Sequence, residues 1–285
     1  MSTNTAALGK IETKKLIQNT SQRKLTKIAG LLYLTIIIAG IFAQFFVRQG
    51  LIVPGDAAAT ASNIIASEGL FRLGIAADLI MIIADVALAL VFYILFKPVS
   101  NALSLLAAFF RLAQATVLGI NLLNLFFTLQ LLSGADYLAV FGPDQANALS
   151  MLFLEAHGTG YAIGLVFFGV NLFILAYLVL KSGYLPKVLG ILLLAASIGY
   201  IIDTFARTLL LNYENYQPLF DLAVFTPAVI AELALALWLL FKGVKTPQKE
   251  TVRFGETVHF EEMPSSSFET ASIPLPAAQS ERSTN

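Results

Sequence analysis

The stretch LFRLGIAADLIMIIADVALALVFYILF, residues 70–96, decides the fold class. At 1.5 Å of rise per residue, a helix of this length more than crosses a hydrocarbon core of about 30 Å. Its only charged side chains are Arg72, Asp78 and Asp85. Lipid offers no partners to backbone polar groups, so an apolar run of this kind satisfies them internally as a helix. Five further runs read the same way, near residues 27–47, 101–132, 145–180, 186–211 and 218–242. With 57% hydrophobic and 13% charged residues, the chain lies well outside the composition of soluble domains. The reading is all-α, a six-span transmembrane bundle. The runs at 101–132 and 145–180 exceed the hydrocarbon thickness, and are expected to tilt or to project on the outer side.

Punctuation between the runs supports these limits. Pro54-Gly55-Asp56 reads as a turn in which Asp56 caps a short Ala-rich helix, residues 57–66, too short to cross and expected at the interface. Lys97-Pro98 ends the second span and Ser100-Asn101 offers caps for the third, a tight connection that makes the two antiparallel neighbours. Gly142-Pro143-Asp144 starts the fourth, and Lys181-Ser182-Gly183 ends it. Three regions result: a basic amino-terminal segment at 1–26, the membrane domain at 27–243, and a tail at 244–285 rich in Ser, Thr, Glu and Pro, expected to be disordered. Lys10, Lys14, Lys15, Arg23, Lys24, Lys97, Lys181, Lys187, Lys242 and Lys245 gather on one side, and Asp56, Glu68, Asp136 and Glu214 on the other. The positive-inside rule therefore places both termini in the cytoplasm, as an even number of spans requires. The long polar leader before the first span argues against a cleaved signal peptide.

The runs Ile28-Ala29-Gly30-Leu31-Leu32-Tyr33-Leu34, Val53-Pro54-Gly55-Asp56-Ala57-Ala58-Ala59-Thr60, Phe71-Arg72-Leu73-Gly74-Ile75-Ala76-Ala77-Asp78 and Lys181-Ser182-Gly183-Tyr184-Leu185-Pro186-Lys187 are spaced through the membrane domain. In these the chain resembles a bacterial multi-pass family catalogued as domain of unknown function 4386. The resemblance implies a bacterial cytoplasmic-membrane location and transfers no catalytic residues.

Nine ionisable side chains fall inside the spans: Arg72, Asp78, Asp85, Arg111, Glu155, His157, Asp203, Arg207 and Glu232. A charge at the bilayer centre costs roughly 2.5–3.5 kcal/mol on insertion scales, which makes each a candidate for function or for pairing. Counting from the inner helix ends puts Asp85, Arg111, Gln114 and Glu232 near mid-depth. Arg72, Asp78, Asn121, Asn124, Glu155, His157, Asp203 and Arg207 fall higher, in an outer layer. Asp78 and Asp85 share a face, as do Gln114, Asn121 and Thr128. Neighbouring spans at matching depth predict an Asp85–Arg111 pair, and the four-residue spacing of Asp203 and Arg207 predicts another. His157, Tyr161, Gly164 and Asn171 share a face of the fourth span, with Gly160 adding a small residue one turn before Gly164. Glu232 has no evident partner and follows Pro227, where a break is expected. A carboxyl able to take up a proton beside such a break is what a coupled carrier would use.

Signatures of enzymes are missing: no His-Glu-x-x-His, Gly-x-Ser-x-Gly, Walker or dinucleotide motif occurs. The absence of cysteine excludes disulfides and thiolate sites, and a single histidine in the membrane domain argues against a dense metal site. No metal and no cofactor is called for. The acidic tail does not suit nucleic acid, and the partner the composition names is the lipid bilayer. The sequence names no protein partner or ligand. The favoured reading is a non-enzymatic membrane protein. Its alternatives are a small-solute or proton-linked carrier, and an intramembrane enzyme in which Glu155 or His157 meets Arg72, Asp203 or Arg207. Six spans could form two inverted halves, but no self-similarity supports that.

Overall fold

The computed structural model describes residues 2–244, with side chains from Gln22 onward apart from Asp221. The tail beyond residue 244 and the side chains of the basic amino-terminal segment up to residue 21 lie outside the described residues. Six helices are long and apolar enough to cross a membrane: α1 (Gln22–Leu51), α3 (Glu68–Phe96), α4 (Asn101–Leu131), α5 (Pro143–Ser182), α6 (Lys187–Leu209) and α7 (Tyr213–Phe241). Between α1 and α3 lies the short α2 (Ala57–Ala66). The backbone helix that contains α1 begins at Ser2.

The local signals act where the sequence puts them. Asp56 Oδ1 accepts from the Ala59 amide at 2.8 Å, capping α2, and Thr60 Oγ1 accepts from the Val53 amide at 2.9 Å to fasten the turn. Gly183 ends α5 in the left-handed region at φ 66°, a conformation that costs other residues about 1 kcal/mol or more.

Two helices depart from regular geometry. Within α1 the chain turns π-helical over Phe42–Arg48, and α4 relaxes at Leu122 between two helical stretches. The interruption expected at Pro227 is not there: α7 runs through Pro218 and Pro227 and begins at Tyr213, earlier than expected. Pro218 is the sixth residue of the helix, past the first turn, so it too removes a backbone bond. Around Pro227, Val224, Ala228 and Ala231 are buried in the core, so packing holds a helix that has lost a backbone bond there.

The spans pack in a closed ring, each on its neighbours in the order α1, α3, α4, α5, α6, α7 and back to α1, while α2 rests on α5. Closure depends on Gly30. A methyl group there would overlap the Leu240 amide nitrogen and the Ala236 carbonyl of α7, so α1 and α7 meet backbone to backbone. The interior holds Tyr33, Leu88, Leu172, Leu193 and Leu239, each fully buried, while Ile83, Phe109 and Ile120 point outward and are more than half exposed. Large apolar side chains outside and charged ones inside suit a surround of lipid.

Candidate functional site

All six spans contribute to one polar hub. Arg111 of α4 reaches Asp85 of α3, both with side chains only 1% exposed. Nε donates to Asp85 Oδ1 at 2.9 Å. Nη2 lies 2.6 Å from the same oxygen but off the hydrogen-bonding direction, and so makes no hydrogen bond. Nη1 donates to Asn171 Oδ1 of α5 at 3.4 Å, and Asn171 Nδ2 donates back to the Ala107 carbonyl of α4 at 2.7 Å. Asp85 Oδ2 accepts a long bond of 3.5 Å from Gln114 Nε2, while the buried Gln114 amide oxygen has no partner. The guanidinium carbon stands 5.3 Å from the ring centres of Tyr33 and Phe168, and 6.0 Å from Phe92. Those ring faces supply the electrostatic surroundings that lipid cannot.

Tyr33 joins this pair to Glu232. Its hydroxyl donates to Glu232 Oε2 at 3.3 Å, and Tyr200 of α6 donates to Oε1 at 2.8 Å. Glu232 is thus clasped by α1 and α6, and among the described residues no lysine or arginine forms an ion pair with it. Beside the hub, Ser104, Arg111, Asn171, Phe92 and Phe96 border a void between α3, α4 and α5 with room for about one water.

The outer layer falls into separate groups. Arg48 grips Asp78 through both carboxylate oxygens, Nη2 to Oδ1 at 3.4 Å and Nη1 to Oδ2, and its Nε donates to Gln44 Oε1 at 2.9 Å. Arg207 Nε donates to Asp203 Oδ2 at 2.9 Å, with Tyr213 donating to the other oxygen. Asn121 Nδ2 donates to the His157 carbonyl at 2.8 Å, Asn124 Nδ2 to Asn121 Oδ1 at 3.0 Å. Gly160 leaves that space, since a methyl on it would collide with the Asn121 amide.

Several expectations need correcting. Arg72 leaves the outer cluster: it is 59% exposed and pairs with Glu68 one turn earlier. Glu155 is exposed and His157 buried on the opposite face of α5, so the pocket in which Glu155 or His157 meets Arg72 is not assembled. Asp78, for which the sequence predicts no pair, is held by Arg48 of α1. The expected Asp85–Arg111 and Asp203–Arg207 pairs are present, and Gln114, Asn121 and Thr128 all face inward. Tyr33, Tyr200 and Tyr213 carry hydrogen bonds that charge alone does not reveal. Hydroxyl side chains are frequent in these spans, so nothing along the chain singles out these three. Among the described residues, no group of three or more His, Cys, Asp and Glu gathers to hold a metal.

The chain is similar to an uncharacterized protein of Archaeoglobus fulgidus, 36% identical over 166 residues that cover 58% of this chain and 81% of that protein. No solved structure matches it. Residues 28–243, α1 through α7, match throughout, and this chain belongs to the family described as Domain of unknown function (DUF4386).

Proposed function

We propose that this chain is a non-enzymatic integral protein of a bacterial plasma membrane, with both termini cytoplasmic, whose buried ion pairs hold the six-helix ring in register. The carrying observation is the Asp85–Arg111 pair, both side chains 1% exposed, at the point where the spans converge. A buried pair adds little net stability over apolar residues of the same size, but losing one partner costs about 3–5 kcal/mol. That asymmetry supplies the test. Asp85→Leu and Arg111→Met should each destabilise the protein in detergent, and the double variant should recover most of the loss. A double variant as damaged as the worse single one overturns the scaffold reading.

Orientation has its own check, because the chain has no cysteine. In intact cells a membrane-impermeant maleimide should label Ser133→Cys in the α4–α5 connection and spare Lys181→Cys at the end of α5. The reverse pattern would place the termini outside.

A further inference from the structure

A scaffold accounts for the paired charges and leaves Glu232 over. The hub contains one guanidinium and two carboxyls. Arg111 holds Asp85 loosely: two of its nitrogens crowd one oxygen, one of them without a hydrogen bond, and the other Asp85 oxygen has only the 3.5 Å contact to Gln114. The contrast is Arg48, which spans both oxygens of Asp78. Glu232 sits on the far side of Tyr33, whose ring lies under Arg111 and whose hydroxyl ends on the Glu232 carboxyl. We propose that Glu232 is a reversible proton-binding site, and that release of its proton turns part of the Arg111 guanidinium toward Glu232, which then shares it with Asp85, making the hub a two-state element.

The two states differ by one proton and one unit of charge. With its proton, Glu232 is neutral and the Arg111–Asp85 pair is electrically closed. The proton then leaves the carboxyl oxygen for solvent. The hub is now one negative charge in excess, and a bare carboxylate in this medium demands a charged partner. Arg111 can supply it by turning Nη2, which touches Asp85 Oδ1 at 2.6 Å without a hydrogen bond, toward Glu232, while Nε stays on Asp85 Oδ1 and the Gln114 amide on Oδ2. The groups that face Glu232 are Tyr33 from α1, Asp85 from α3, Arg111 from α4, Tyr161 from α5 and Tyr200 from α6. None of the others is a second carboxyl beyond Asp85. The inference goes past the scaffold reading, which would survive its failure.

A native reporter is in place. The chain has one tryptophan, Trp238, on α7 beyond Glu232, with the Lys242 ammonium 4.3 Å from its ring. In nanodiscs, Trp238 emission should pass through a one-proton transition as pH is varied over the range in which the protein stays folded. Glu232→Gln should abolish the transition and hold the low-pH emission. Asp85→Asn, which leaves Glu232 as the sole carboxylate for Arg111, should hold the high-pH emission. Lys242→Met should keep the transition. A flat wild-type response, a transition that survives Glu232→Gln, an Asp85→Asn protein fixed in the low-pH form, or a transition lost with Lys242→Met each overturns the proposal. Two further measurements keep the test decisive where a charge variant fails to fold. Tyr200→Phe keeps the carboxyl and removes one donor, so the midpoint must move, and an unmoved midpoint overturns the proposal. The wild-type pH-difference infrared spectrum must show a protonated-carboxyl band, and its absence does the same.

Discussion

Asp85 is held by Arg111 through one carboxylate oxygen, whereas Asp78 is held by Arg48 through both. Both pairs are buried, and removing either partner leaves a charge that lipid cannot solvate. Asp78→Asn should therefore lower unfolding stability by about 3–5 kcal/mol. Arg72→Gln breaks an exposed pair with Glu68, and should cost no more than about 1 kcal/mol. Denaturation in mixed detergent micelles compares them, and equal losses would mean that burial does not set the energetics of these pairs. Tyr200→Phe removes one donor to Glu232 and leaves a buried acceptor short, an expected loss of about 1–3 kcal/mol in the same measurement.

At the scale of the element, α1 is the least regular helix and carries two of the decisive contacts. Its π-helical segment Phe42–Arg48 buries Arg48 on the bundle side, with the exposed Gln44 bonded to its Nε, and Val47 there packs against Gly74 of α3. Such insertions add a residue to a turn and re-aim the side chains beyond it. At the other end Gly30 lets α1 touch α7. Gly30→Ala should force these backbones apart and cost about 1–3 kcal/mol or more. Gly69→Ala, at an open position near the start of α3, should be close to neutral. Thermal melting of the two purified variants checks this, and equal melting temperatures would place the closing contact elsewhere.

For the whole molecule, the arrangement is a ring with polar groups converging inside and an apolar exterior. Ile83 shares α3 with Asp85 yet faces outward at 68% exposure. Ile83→Lys should thus weaken membrane insertion by roughly 2.5–3.5 kcal/mol, measurable as the inserted fraction in a microsomal assay. Unchanged insertion would mean that this face of α3 is covered by protein. The number of spans, the caps at Asp56 and Gly183, the inward stripe of Gln114, Asn121 and Thr128, and the Asp85–Arg111 pair were all legible from apolar run length, helical period and a tight connection. Those signals are local, or join helices adjacent in sequence. Tertiary structure alone decided that α1 closes on α7, that Arg48 and not Arg72 meets Asp78, and that Tyr33 and Tyr200 clasp Glu232. Each of these contacts joins groups whose approach depends on helix rotation and ring order. A π-helical turn can change the first and packing sets the second, and neither leaves a periodic trace along the chain.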